Sequence, residues 1–189
     1  MFEGFGQQEL TVNGTTINLV KGGDGPPLLL LHGYPQTHTM WHKVAPLLAR
    51  DFTVVAADLR GYGDSGKPKG GSEHLNYSKR AMAQDQVEVM EQLGFDSFLL
   101  AAHDRGARVS HRLTKDHPQR VRKLALLDII PTHRMFQIVN KEMATNTYHW
   151  FFLIQPYDFP ERVIGAAADQ FIRRSFERGA NAAQVFPPE

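Results

Sequence analysis

Ala102-His103-Asp104-Arg105-Gly106-Ala107-Arg108 has the small-x-nucleophile-x-small form of a nucleophile elbow, with Asp104 where the better-known motif carries serine. A carboxylate on such a tight turn stands exposed at the top of a sheet, held for attack. The bland alternative is an N-cap, for which aspartate is a favoured residue. Two neighbours weigh against capping alone. Arg105 and Arg108 fall in the first turn of the predicted helix, three apart, so they share a face. Cations there oppose the helix macrodipole, at about 0.3–1 kcal/mol each. A helix built only for structure would carry acids at that end, and a local rule broken without compensation marks a functional site. Paired guanidinium forks grip a carboxylate bidentately and lower the pKa of an adjacent aspartate. The implied ligand is a small organic acid placed against Asp104.

A second candidate lies in the loop after the third predicted strand, Leu31-His32-Gly33-Tyr34-Pro35. In this type of architecture a backbone N–H from that loop joins the N–H of the residue after the nucleophile in an oxyanion hole. The two donors would be the amides of Tyr34 and Arg105. Asp128, at the end of a later strand, can orient a catalytic imidazole, although an acid ending a strand is commonly just a turn former. Gly61-Tyr62-Gly63-Asp64-Ser65-Gly66 matches a dinucleotide fingerprint, but Lys67-Pro68-Lys69-Gly70-Gly71 continues it as loop instead of opening a helix, so a plain glycine turn is expected. The nine histidines show no metal-ligand spacing, and no metal site is expected.

These residues need elements to position them. Leu10–Val12 and Thr16–Val20 flank Asn13-Gly14, which favours a tight hairpin. Leu28–Leu31, Thr53–Ala57, Phe98–Ala102 and Leu124–Leu127 are short apolar runs suited to strands buried on both faces of a parallel sheet. Trp41, Val44 and Leu48 follow helical spacing, with Pro46 expected to bend that helix. Ser78 caps a second helix that ends at Gly94. The alternation predicts an α/β, doubly wound sheet over residues 1–132, with ligands at the carboxyl ends of its strands. From 133 to 189 the chain is rich in Phe, Tyr, Arg and Ala, and reads as part of a helical cap.

Composition sets the frame. The 189 residues, 42% hydrophobic and 22% charged, suit one folded domain, not a disordered chain. A net charge of +1 without long basic runs argues against nucleic acid and anionic membrane as partners. The absence of cysteine excludes disulfides and thiolate chemistry. The N-terminus lacks a signal-peptide pattern and no apolar run is long enough to span a bilayer, so a cytoplasmic protein is expected.

Together, His32-Gly33-Tyr34-Pro35-Gln36, Asp58-Leu59-Arg60-Gly61-Tyr62-Gly63, His103-Asp104-Arg105-Gly106-Ala107-Arg108, Leu127-Asp128-Ile129-Ile130-Pro131 and Tyr148-His149-Trp150 resemble the haloacetate (fluoroacetate) dehalogenases of the α/β-hydrolase superfamily. The first two motifs are shared with epoxide hydrolases and haloalkane dehalogenases; the Asp-Arg-Gly-Ala-Arg string and the His-Trp pair discriminate. The resemblance implies that Asp104 is the nucleophile, Arg105 and Arg108 bind the substrate carboxylate, His149 and Trp150 hold the departing halide, and Asp128 is the acid of a triad. Core packing is the bland reading of His149-Trp150. Ala102 stands where glycine is usual, a mild departure that tightens the elbow. The resemblance implies a small halogenated acid as substrate, no cofactor, and a homodimer. The family's catalytic histidine falls near the carboxyl end, and none of the nine histidines takes that position, so a shortened chain is expected. Two other readings stay open: a turnover-incompetent domain that binds small carboxylates, and an epoxide hydrolase, which leaves Arg105 and Arg108 unexplained.

Overall fold

The computed structural model describes residues 1–156 and 158–177. The chain divides into two compact units, Met1–Pro131 and Thr132–Glu189. In the first, β1 (Gly6–Val12) and β2 (Thr15–Gly22) form an antiparallel hairpin. Asn13 and Gly14 both adopt positive φ at its turn, as the Asn-Gly pair requires. β3 (Pro27–Leu31), α1 (Ala45–Leu48), β4 (Thr53–Ala57), α2 (Lys79–Gln92), β5 (Phe98–His103), α3 (Asp104–Asp116) and β6 (Val121–Leu127) follow. The sheet order is β1-β2-β4-β3-β5-β6. β3, β4, β5 and β6 run parallel, and β2 joins β4 antiparallel.

The apolar run of β3 is continuous because both of its faces are covered. Leu29 and Leu31 point with Val55, Ala57, Leu100 and Ala102 into a core closed by Met82, Val87 and Met90 of α2 and Ala107, Val109 and Leu113 of α3. Leu28 and Leu30 point the other way, with Val54 and Ala56, onto Trp41 and Ala45. The Ser78 hydroxyl accepts the Ala81 N–H at the start of α2, and Gly94 takes positive φ just past its end.

Two expectations fail here. Trp41, Val44 and Leu48 do not lie on one helix: a 3₁₀ turn spans His38–Trp41, and α1 is separate and short. Pro46 stands in the first turn of α1, where its missing N–H costs nothing, so it starts a helix instead of bending one. β6 is not buried on both faces. Among the described residues it pairs with β5 alone, at the edge of the sheet, and Leu126 and Leu127 are 38% and 44% exposed.

The second unit is helical where described: α4 (Thr132–Gln137), α5 (Lys141–Asn146), α6 (His149–Phe152), α7 (Phe159–Ala166) and α8 (Ala168–Glu177). The expected continuation of the helical segment over 178–189 lies outside the described residues. Among the described residues no helix is long and apolar enough to cross a membrane.

Candidate active site

Strand register brings the site together. Leu31 pairs with Ala57 on one side and Ala102 on the other, and His103 pairs with Leu127. The strands therefore end in line, and His32, Asp58, Asp104 and Asp128 leave one edge of the sheet as adjacent loops. The chain passes from β3 to β4 on one side, then to β5 on the other, so β3 and β5 flank the switch point where α/β sheets open a crevice.

Asp104 occupies that crevice. It is the first residue of α3, yet its φ is +44°, a left-handed conformation that costs an ordinary residue of order 1 kcal/mol or more. It is not the N-cap: His103 holds that place, and the Asp104 carboxylate turns away from its own helix to accept the Tyr34 N–H at 2.9 Å. The backbones on either side pass too close for side chains. A Cβ on Gly33 would lie 2.6 Å from the Asp104 Cβ, and one on Gly106 would lie 2.5 Å from the His32 carbonyl oxygen. Gly106 N–H donates to that same oxygen at 2.9 Å, tying α3 to the end of β3. Of the two expected backbone donors, Tyr34 reaches Asp104; the Arg105 amide makes no such bond among the described residues.

Arg108 lies in the field of Asp104 and of Arg105. The Arg105 guanidinium stacks 5.1 Å from the centroid of the Tyr34 ring, and Arg108 Nη1 donates to the Ile130 carbonyl at 2.8 Å. Partial burial lowers the Arg108 pKa from its usual value; Asp104 opposes that shift and Arg105 adds to it. Asp128 also has positive φ, +53°, and its side chain is 91% exposed, with Oδ2 3.8 Å from His103 Nε2.

Below the crevice lies a buried polar layer. Asp58 Oδ1 accepts the His38 N–H at 2.7 Å and His38 Nδ1–H at 2.9 Å; Oδ2 accepts Asn18 Nδ2–H at 2.9 Å and the Asp64 N–H at 3.1 Å. Burial alone would raise this carboxyl, but the bonds from His38 and Asn18 outweigh it and hold it at about 2. The Leu59 N–H donates to His32 Nε2 at 3.0 Å, so that nitrogen carries the lone pair and Nδ1 the proton, which goes to the Gly33 carbonyl at 2.9 Å. Burial pushes the His32 imidazole below its ordinary 6.5, with the Gly33 bond and Asp58 opposing, and this neutral tautomer fits both bonds.

Two neighbours were not anticipated from sequence as part of the site. Tyr62, whose ring meets the His32 ring edge-on at 5.1 Å, has its phenol pushed up to about 12 by burial and feels Arg105, Asp104 and Tyr34. Lys79, the first residue of α2, feels Arg105, Arg108 and Asp104. Each reaches the site by tertiary packing: Tyr62 stands in the shared Asp58–Gly63 motif, which gave it no role, and Lys79 stands in none of the motifs read from the sequence. His149 and Trp150 belong to the second unit, at the start of α6. Both are partly buried, and Trp150 packs edge-to-face on Phe136 with ring centroids 6.0 Å apart.

An acid on a strained strand-to-helix turn, faced by a backbone donor from the neighbouring strand's loop, is the working arrangement of α/β hydrolases. Residues 26–184 match the family described as alpha/beta hydrolase fold, and the chain belongs to that family. Across its whole length it is 55% identical to a fluoroacetate dehalogenase from Burkholderia sp, and it spans 62% of that protein. A soluble epoxide hydrolase from Corynebacterium sp. (strain C12) is 43% identical over 64% of the chain and 40% of its own length. Among solved structures, one from Nostoc sp PCC 7120 assigned to the α/β hydrolases superposes with a TM-score of 0.92 at 62% identity, covering 94% of this chain and 61% of that one. A Pseudomonas aeruginosa protein assigned as an epoxide hydrolase gives 0.92 at 48% identity, over 98% and 62% of the two chains.

Proposed function

We propose that this chain carries the nucleophilic portion of a hydrolase that removes halide from small halogenated carboxylic acids. The observation that carries the reading is the setting of Asp104: a carboxylate on a strained turn, bonded to the Tyr34 N–H, with Arg105 and Arg108 in the turns that follow. The high identity to a fluoroacetate dehalogenase supports the substrate class. Arg105 and Arg108 favour it over an epoxide, which offers no carboxylate to hold.

In this reading one Asp104 oxygen attacks the carbon that bears the halogen. The new C–O bond forms as the carbon–halogen bond breaks, and halide leaves with the bonding pair. The product is an ester of Asp104. Water, giving up a proton to an imidazole base, then attacks the ester carbonyl; negative charge develops on the carboxyl oxygen that faces the Tyr34 N–H, a donor already in place, and as that intermediate collapses the bond from the Asp104 carboxyl carbon to the ester oxygen breaks, releasing the hydroxy acid and restoring the carboxylate. Asp128 is the acid that would orient the imidazole base for that water. His149 and Trp150 are proposed to receive the halide, on the strength of the sequence resemblance.

The test is incubation with bromoacetate. Halide release limited to one per chain, with one carboxymethyl group on Asp104 that is absent in Asp104→Asn, is the expected result. An unmodified chain that still binds acetate would replace this reading with a carboxylate-binding domain. Sustained turnover would show that the 189 residues contain a working base and would overturn the expectation of a single release.

A further inference from the structure

Arg80 and Lys79 both sit in the first turn of α2, which carries no acid there. Cations at a helix N-terminus are disfavoured by the macrodipole. Arg80 meets the difficulty in the ordinary way, by pairing its Nε with Asp116 Oδ2 at 3.1 Å. Lys79 does not. Among the described residues its ammonium makes one hydrogen bond, 3.8 Å long, to the thioether sulfur of Met82, a weak acceptor. It is half-buried, and the charges that face it come from α3: Asp104, Arg105 and Arg108.

A half-buried ammonium whose one hydrogen bond among the described residues goes to a thioether sulfur, in the field of two guanidinium groups and a single carboxylate, is held against net positive charge. A ligand that brings negative charge relieves it. We propose that Lys79 is the third cation of the carboxylate-binding site, beside Arg105 and Arg108, and that its charge sets the preference of that site for anionic over neutral ligands. The inference rests on the carboxylate site proposed above and adds a residue that the elbow motif does not contain.

The electrostatics agree in sign. Burial, then Arg105 and Arg108, push the Lys79 ammonium down to about 8, with Asp104 opposing. Arginine as a residue type keeps its charge in proteins, and burial pushes the Tyr62 phenol up to about 12. Lys79 is therefore the cation in this group that discharges in mildly alkaline solution. A bound carboxylate favours the charged form, so binding and protonation of Lys79 support each other.

The probes are acetate, which has the carboxylate and no leaving group, and acetamide, its neutral counterpart, each titrated into the 189-residue chain and followed by NMR. Lys79→Met should weaken acetate about tenfold, as loss of one nearby charge in a half-solvated site does, and leave acetamide unchanged. Lys79→Arg should retain acetate. Wild-type affinity for acetate should fall over about pH 7–9, in a step that Lys79→Met lacks. Equal acetate affinity in wild type and a folded Lys79→Met overturns the role of Lys79 and leaves the carboxylate site standing. A wild-type chain that binds acetate no better than acetamide overturns both. Should Lys79→Met not fold, a wild-type acetate affinity that stays flat across the same pH range overturns the inference by itself.

Discussion

The backbone N–H of Tyr34 and Oδ1 of Asp104 stand 2.9 Å apart, and this bond joins the ends of β3 and β5 above the sheet. A trans peptide points its C=O and N–H to opposite sides. The Gly33 carbonyl at the other side of this peptide accepts from His32 Nδ1 at 2.9 Å and from the Gln36 N–H at 3.0 Å. The peptide that presents the Tyr34 donor is thus held from both sides, and His32 is held in turn by the Leu59 N–H. A donor fixed before reaction needs no reorganisation when charge appears on the oxygen it faces.

Gly33→Ala tests that close approach. Its methyl carbon would lie 2.6 Å from the Asp104 Cβ and 2.9 Å from His103 Nδ1, so the elbow must shift. The chain is expected to fold with a loss of about 1–3 kcal/mol, the usual range for overpacking. Its rate of halide release from bromoacetate should drop by at least about tenfold, because small misplacement of a nucleophile is costly. Gly106→Ala should be worse for stability, since its Cβ would meet the His32 oxygen at 2.5 Å and the Leu31 carbonyl carbon at 2.8 Å, both backbone atoms that cannot rotate aside. Thermal melts and a halide electrode compare the two; wild-type alkylation by a folded Gly33→Ala would show that the contact does not position Asp104.

Stability should fall with acid in two steps. His32 has a folded pKa below 6.5, so its contribution is complete above about 6.5, where the ring is neutral in both states, and is lost as pH falls toward the folded value. Asp58 is held at about 2, against an ordinary 3.8, so its contribution is complete above about pH 4–5 and is lost as pH falls through 2. Urea unfolding as a function of pH checks both. Asp58→Asn should be less stable by about 2–4 kcal/mol at pH 7 and should lose the Asp58 share of the lower step, leaving that of Asp116, whose carboxyl the Arg112 bond also holds below its ordinary value, while the upper step persists.

The parallel strands, the Asn13-Gly14 hairpin and the start of α2 at Ser78 were legible because each depends on a local pattern. The meeting of the Gly33-Tyr34 loop with Asp104 depends on β3 and β5 being neighbours, which the structure supplies. The failures have physical causes. Trp41, Val44 and Leu48 keep a helical period, but Pro46 begins a new helix, and Val44 is exposed. An apolar run such as Leu124–Leu127 reports what a strand could bury, not whether a neighbour covers it. Asp58 was visible only as part of a shared motif; its partners, Asn18 and His38, come from β2 and from the loop after β3. Lys79 reaches the site because α2 packs on α3, which no local spacing encodes.

Arg60→Lys should destabilise although it keeps the charge. Arg60 Nε donates to Asp85 Oδ2 at 2.6 Å, Nη2 donates to the other carboxylate oxygen and to the Asn13 carbonyl, and Nη1 donates to the Asn76 carbonyl at 2.8 Å. Both Arg60 and Asp85 are buried. A lysine ammonium cannot reproduce that planar fork, and the groups it leaves unbonded should cost about 1–3 kcal/mol. Chemical denaturation measures the loss; an unchanged midpoint would mean that charge alone holds the loop.

Asp128→Gly should make the chain more stable. Asp128 holds φ of +53°, which glycine adopts freely, and its side chain is 91% exposed with a single 3.8 Å approach to His103 Nε2. Relief of the left-handed strain, less the added backbone entropy of glycine, leaves a gain of about 0.5 kcal/mol. Asp128→Asn should stay near wild type, since asparagine also tolerates this conformation. In the proposed reaction Asp128 serves the hydrolytic step, so the single release of bromide through Asp104 should proceed at the wild-type rate in both variants. A lower melting temperature in Asp128→Gly would show that the His103 contact outweighs the strain, and a slowed release would move Asp128 into the displacement step.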